Sequence, residues 1–136
     1  MTVRPADRAA LSDLVHRYAS GIDDRQFDAV AMLFTQDAEL TVPDPPTTLE
    51  PVVRHAGRAA VGAALTAVAT TVRTEHAIVG EVYDRGPRTD AARGRITCVA
   101  TIGTTVVTSS STWCGMCATT TTISALTPVG GSVGGC

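Results

Sequence analysis

The C-terminal part of this chain lacks charge. Eleven basic and 13 acidic side chains all lie within residues 1–95, and none follows Arg95. The formal net charge of −2 leaves no basic excess to displace counterions from DNA or RNA, which argues against a nucleic-acid-binding protein. Long apolar runs are missing too: no stretch approaches the roughly 18 apolar residues of a membrane span, and residues 1–10 have no signal-peptide core. We therefore expect a soluble cytoplasmic protein with neither nucleic acid nor membrane as partner.

Residues 101–136 contain ten Thr, five Ser and six Gly instead of charge. One interpretation is a genuine Thr/Val-rich β segment that is followed by a flexible glycine-rich end. The other is a slip of the reading frame near residue 101, because reading the codons of residues 100–103 one base earlier allows His-His-Trp. The slip would explain the loss of charge and would leave the fold incomplete at its C-terminus. The nucleotide sequence around codon 100 distinguishes the two.

The four cysteines predict neither a metal site nor disulfides. Cys114 and Cys117 form one CxxC pair, but no second pair and no neighbouring histidines complete a tetrahedral site. Because no secretion signal is present, a disulfide framework is not expected either. We predict a protein without metal or other cofactor.

The chain is long enough for one domain, residues 1–136, with 44% hydrophobic residues to build a core. The spacing of its apolar residues predicts alternating elements. The helices are predicted at residues 5–22, 25–35 and 58–70, and the strands at residues 38–42, 75–83 and 91–100. Prolines 43, 45 and 46 are expected to end the first strand, and residues 43–57 to form a long loop over a site.

The order of these elements predicts an α+β fold. Two helices, a strand, a helix and a run of strands favour a mostly antiparallel sheet that packs around the N-terminal helices. A strongly curved sheet of this kind would enclose a cone-shaped pocket beside the first helix.

Four sequence motifs resemble the SnoaL-like branch of the nuclear transport factor 2-like superfamily. They are IDDRQFDAVAMLF, FTQDAEL, GRAAVGAAL and VRTEHAIVG, and the resemblance covers residues 5–100. It is closest to the scytalone dehydratase and bile-acid dehydratase group, in which an aspartate and two histidines in a cone-shaped pocket eliminate water. The resemblance implies the same fold here, and association of copies through the open face of the sheet.

The resemblance also implies two catalytic residues. Asp23 matches the aspartate of the group and would orient the second histidine, while His76 matches the first histidine and would bind or protonate the leaving group. Imidazole suits both tasks because its pKa lies near neutrality. Thr101 stands where the second histidine is expected, and Ile22 and Val42 replace two tyrosines of scytalone dehydratase. Read without the resemblance, Asp23 is a helix-end residue and His76 a strand histidine bonded to the backbone.

Four further residues are expected to line the substrate pocket with apolar surface. They are Tyr18, Phe34, Val42 and Ile78. The most favoured function is a cofactor-independent lyase, or an isomerase, that acts on a small hydrophobic hydroxy-ketone. The alternatives are a protein that binds a small hydrophobic ligand without turnover, a subunit like the small subunit of a ring-hydroxylating dioxygenase, or an inactive frame-shifted product.

Overall fold

The computed structural model describes residues 2–44, 48–106 and 109–124, and their side chains within 2–41 and 53–103. Helices and antiparallel strands alternate in an α+β fold, as predicted from the sequence. The elements are α1 (Pro5–Asp23), α2 (Phe27–Ala31), β1 (Glu39–Asp44), β2 (Thr48–Ala56), α3 (Arg58–Thr66) with a 3-10 turn (Ala67–Thr70), β3 (Arg73–Arg85), β4 (Ala91–Val106) and β5 (Ser109–Ser124).

The strands form two antiparallel groups. Strands β1 and β2 make a hairpin, and β3, β4 and β5 form a three-stranded sheet in that order. In the larger sheet His76 pairs with Ala100 and Glu75 pairs with Thr101, so these two pairs point to opposite faces. A register shift between Ile78 and Gly80 changes this alternation farther along β3.

The prediction of a long loop at residues 43–57 is wrong, because most of this segment forms strand β2. Proline 43 does not end β1: it lies inside the strand, between two shifts of register that follow Val42 and Pro43. At such irregular positions a strand tolerates a residue that cannot donate a backbone hydrogen bond. Helix α2 is also shorter than the predicted 25–35: it begins only after Arg25, whose positive φ interrupts a right-handed helix, and it ends at Ala31.

Strand β5 occupies Ser109–Ser124 of the neutral C-terminal segment. It pairs with β4 along its whole length, from Ala91 opposite Ser124 to Val106 opposite Ser109. This is the β structure that a Thr/Val-rich segment favours. The frame slip stays a prediction for the gene sequence.

Two apolar clusters form the described core. The first joins α1, α2 and α3 through the buried side chains of Ile22, Val30, Val61 and Leu65. The second places Leu11 of α1 against Tyr83 and Ala92 of the larger sheet. Because both clusters include α1, this helix is the element on which the described parts of the core converge. Among the described helices, none combines the length and apolar content needed to cross a bilayer.

Two glycines, one on α1 and one on α3, both lie against α2, and their substitution by alanine should change stability in opposite directions. A Cβ on Gly21 of α1 would overlap Cγ2 of Val30, which is 1% exposed and cannot move aside. A Cβ on Gly62 of α3 would only touch Cβ of Ala31, at 3.4 Å. We expect Gly21→Ala to lower the free energy of unfolding by about 1–3 kcal/mol through overpacking. Gly62→Ala should raise it by about 0.5–1 kcal/mol, because alanine loses less backbone entropy in a helix.

Urea unfolding of the two variants beside the parent chain measures both changes. Equal effects from both substitutions would contradict the close packing of α1 on α2.

The second apolar cluster contains the buried hydroxyl of Tyr83, whose pKa is raised. Tyr83 is 1% exposed, and its hydroxyl has no hydrogen-bond partner among the described residues. Burial, followed by the negative charge of Glu81, raises the pKa of Tyr83 from 10.0 to about 12. The unfolded chain therefore releases this proton first as the pH rises, and the folded state loses stability between pH 10 and about 12.

We expect Tyr83→Phe to remove this alkaline loss while leaving stability at neutral pH unchanged or slightly higher, since the hydroxyl makes no bond that is lost. Urea unfolding at neutral pH and across the alkaline range measures it. The same alkaline loss in both proteins would show that another group is responsible.

Candidate functional site

The end of helix α1 is a tight turn that positions Asp23. The N–H of Arg25 donates to the carbonyl of Ile22 at 3.2 Å, and the N–H of Gln26 donates to that of Gly21 at 2.8 Å. This is the Schellman pattern, which requires a residue with positive φ just after the helix. Arg25 fills that place with φ of 61°, at a cost of about 1–2 kcal/mol for a residue with a side chain. Asp23 is thereby the last residue of the helix.

The carboxylate of Asp23 makes two hydrogen bonds to a single residue of β3. Its Oδ1 lies 2.7 Å from Nδ1 of His76, and its Oδ2 accepts the backbone N–H of His76 at 2.8 Å. The two side chains are about one-fifth exposed, 22% for Asp23 and 19% for His76. The imidazole is therefore fixed in orientation and still accessible to a small molecule.

The contact determines which nitrogen of His76 carries the proton in the neutral ring. An ionised carboxylate only accepts hydrogen bonds, so the proton is assigned to Nδ1. Nε2 is then the atom that can take up or release a proton, with Asp23 stabilising the charged ring that results. This arrangement suits general acid–base chemistry at Nε2.

The resemblance assigned Asp23 to a second histidine, and the structure places it on His76 instead. Thr101, where that second histidine was expected, pairs with Glu75 and so points to the sheet face opposite His76. Ile102 pairs with Thr74 and shares the face of His76. A strand alternates its faces at every residue, so Thr101 borders the cleft beside the pair from the other face of the sheet.

An open cleft of about 390 Å³ lies beside the Asp23–His76 pair. Its lining consists of Asp23, Glu75, His76, Ala77, Val99 and Thr101. Glu75, Ala77 and their partners in β4 belong to the face opposite His76. Within the described residues the pair therefore borders an open depression, and the enclosed cone-shaped pocket stays a prediction.

The four residues that were expected to line the pocket do not lie together around the cleft. Tyr18 and Phe34 contact each other edge to face, with ring centroids 6.2 Å apart, and pack against the first apolar cluster rather than line the cleft. Ile78 lies two residues after His76 on the same face of β3. Val42 pairs through its backbone with Val53, but its side chain lies outside the described residues.

Arg25 is a residue of this site that the sequence interpretation missed. Its guanidinium donates from Nη1 to Oγ1 of Thr74 at 3.1 Å, and from Nη2 to the carbonyl and Oγ1 of Thr71 at 3.1 and 3.2 Å. The signal lay in the helix-ending sequence IDDRQF, where a turn residue with positive φ is required. Neither apolar periodicity nor motif matching reports which strand such a residue reaches.

Within the described side chains, no three or more His, Cys, Asp or Glu residues are grouped so that they could hold a metal ion. The side chains of Cys114 and Cys117 lie outside the described residues. The acid–base geometry above involves only groups of the chain itself.

A family model described as a SnoaL-like domain matches residues 4–124. The match extends past residue 100, where the motif resemblance ended, and includes strand β5. A comparison with curated proteins gave no match.

Solved structures with the same fold are similar at low sequence identity. A protein of Novosphingobium aromaticivorans assigned as a scytalone dehydratase has a TM-score of 0.72 at 19% identity, over 90% of this chain and 76% of that one. A Catenulispora acidiphila protein in complex with S-DNPA has a TM-score of 0.67 at 15% identity, over 89% and 83%. The β subunit of benzoate 1,2-dioxygenase from Burkholderia mallei has a TM-score of 0.60 at 19% identity, over 88% and 80%.

The proton on Nδ1 of His76 gives a direct test of the Asp23 contact. We expect neutral His76 to be the Nδ1–H tautomer in the parent chain. In Asp23→Asn the amide oxygen must still accept the backbone N–H, so the NH₂ group faces Nδ1 and favours the Nε2–H tautomer. Nitrogen-15 NMR of the ring, at a pH where it is neutral, measures the tautomer.

Asp24→Asn is the matched control, because it neutralises the next, exposed carboxylate and should leave the tautomer unchanged. An Nε2–H tautomer already in the parent chain would contradict the contact.

Proposed function

The chain belongs to the SnoaL-like family, and from that premise we propose that it is a cofactor-independent lyase that removes water from a small hydrophobic hydroxy-ketone. The family supports a role in binding or converting small molecules, and the dehydration is the proposal. It depends on one observation, the double hydrogen bond between the Asp23 carboxylate and His76.

One imidazole can perform both proton transfers of the reaction. Nε2 of neutral His76 takes the proton from the carbon beside the substrate carbonyl, which becomes an enolate, and Asp23 stabilises the imidazolium that forms. The imidazolium then gives that proton to the hydroxyl on the next carbon. The C–O bond breaks, a C=C bond forms, water leaves, and His76 is neutral again.

The single histidine distinguishes this proposal from the two-histidine arrangement that the resemblance implies. With threonine at residue 101, proton removal and proton delivery fall to the same nitrogen. Both steps must then occur on one face of the substrate, so the proposal requires the hydrogen and the hydroxyl to leave from the same side.

Binding without turnover is the second candidate, and the open cleft favours it. A depression that is not enclosed excludes water poorly, and elimination is helped by a site that excludes water. The similarity to a dioxygenase β subunit supports a subunit role of this kind. An inactive frame-shifted product is the third candidate.

A homo-oligomer through the sheet face also stays a prediction. On the face away from α1, Val79 and Val82 of β3 are 61% and 59% exposed, which provides apolar surface for such a contact. Sedimentation velocity measures the state of association, and a monomer at all concentrations would contradict it. The cytoplasmic location likewise remains an expectation from the sequence.

We expect His76→Ala and Asp23→Asn each to lower turnover by about 10²- to 10⁴-fold, the usual contribution of a positioned general acid or base. The assay uses a panel of cyclic β-hydroxy-ketones and follows the ultraviolet absorbance of the conjugated ketone produced. His16→Ala is the matched control, because His16 is 59% exposed on α1 and outside the cleft lining.

Unchanged turnover in His76→Ala would remove this residue from the mechanism. Ligand binding by the parent chain without turnover would favour the second candidate. The same panel, applied to a chain whose frame is restored after residue 100, tests the third.

A further inference from the structure

Arg25 occupies a position that glycine usually fills. Positive φ just after a helix carries no steric penalty for glycine, whereas arginine is strained there. Ending the helix is therefore not a reason to have arginine at this position. The reason must lie in the side chain, which is half-buried and directed at the segment that leads into β3.

The guanidinium bonds two threonines on either side of the start of that strand. Thr71 provides both its carbonyl and its hydroxyl, and Thr74, which is 3% exposed, provides its hydroxyl. The planar, forked arrangement of the guanidinium donors allows one side chain to hold both residues at once. A lysine has a single nitrogen and cannot reproduce this geometry.

Two attachments thus join the end of α1 to the start of β3. Asp23 bonds His76, and two residues farther along the helix turn Arg25 bonds Thr71 and Thr74. Apolar packing holds the body of the helix through Ile22, but Asp23 and the turn that follows lie at its end and are partly exposed. The contacts of Arg25 add a second polar attachment there, which fixes the direction from which the Asp23 carboxylate approaches the imidazole.

We propose that Arg25 is a positioning residue that keeps the Asp23 carboxylate aligned with Nδ1 of His76 and so keeps Nε2 directed at the substrate. Its effect on turnover rests on the proposed function, whereas its effect on the imidazole does not. At metal sites, outer groups that orient a ligating histidine are worth about 10- to 100-fold in metal affinity or activity, and we expect an effect near the lower end of that range for this metal-free pair.

Arg25→Gly tests the proposal, because glycine preserves and relaxes the helix end while the guanidinium contacts are lost. We expect the variant to remain folded, the Nδ1–H tautomer of His76 no longer to predominate, and kcat for the hydroxy-ketone substrate to fall about 10-fold with KM unchanged. Thr74→Val removes one acceptor and should shift the tautomer in the same direction by less. Arg25→Lys should lie between Arg25→Gly and the parent chain.

Arg88→Ala is the matched control, because the Arg88 guanidinium bonds only Asp90 at the surface among the described residues. It should leave the tautomer and kcat unchanged. If Arg25→Gly does not fold, Thr74→Val and Arg25→Lys carry the test.

The imidazole NMR separates failure of this proposal from failure of the proposed function. A shifted tautomer in Arg25→Gly or Thr74→Val supports the positioning role even when no substrate is converted. A full Nδ1–H tautomer in both folded variants overturns it, whatever the turnover.

Discussion

The candidate site depends on one carboxylate, that of Asp23, which bonds both the backbone and the ring of His76. Oδ2 of Asp23 accepts the backbone N–H of His76 and Oδ1 accepts from its ring, so a main-chain contact and the orientation of an imidazole are set by the same group. Helix α1 also takes part in both apolar clusters. Packing therefore fixes the helix, the helix fixes the carboxylate, and the carboxylate fixes the proton on the imidazole. The chemistry proposed for Nε2 follows from this sequence of constraints.

The spacing of the apolar residues and the four sequence motifs predicted different parts of the molecule. The apolar spacing located α1, β3 and the first part of β4, because burial of one face imposes a period that a single sequence reveals. It failed at β2, where prolines at an irregular part of a hairpin imitate the end of a strand. The motif resemblance brought Asp23 and His76 together, although they are 53 residues apart and no periodicity connects them.

The parts of the site that could not be predicted are those that depend on register and on turn geometry. The face on which Thr101 lies follows from its pairing with Glu75, which the sequence alone does not contain. Arg25 reaches Thr71 and Thr74 from a backbone with positive φ. Positive φ is uncommon for residues other than glycine, so the sequence does not predict it at an arginine. Both features require the actual course of the backbone.

The backbone bond of Asp23 has a further consequence for association between chains. Within the described strands β3 has a neighbour, β4, on one side only, so its other margin presents unpaired N–H and C=O groups to any extended peptide. Asp23 occupies the N–H of His76, and a short bridge from Thr2 covers the position of Asp84. Asp23 thus occupies one position of this strand margin with a charged side chain, and a charged side chain offers no further backbone groups with which another strand could pair.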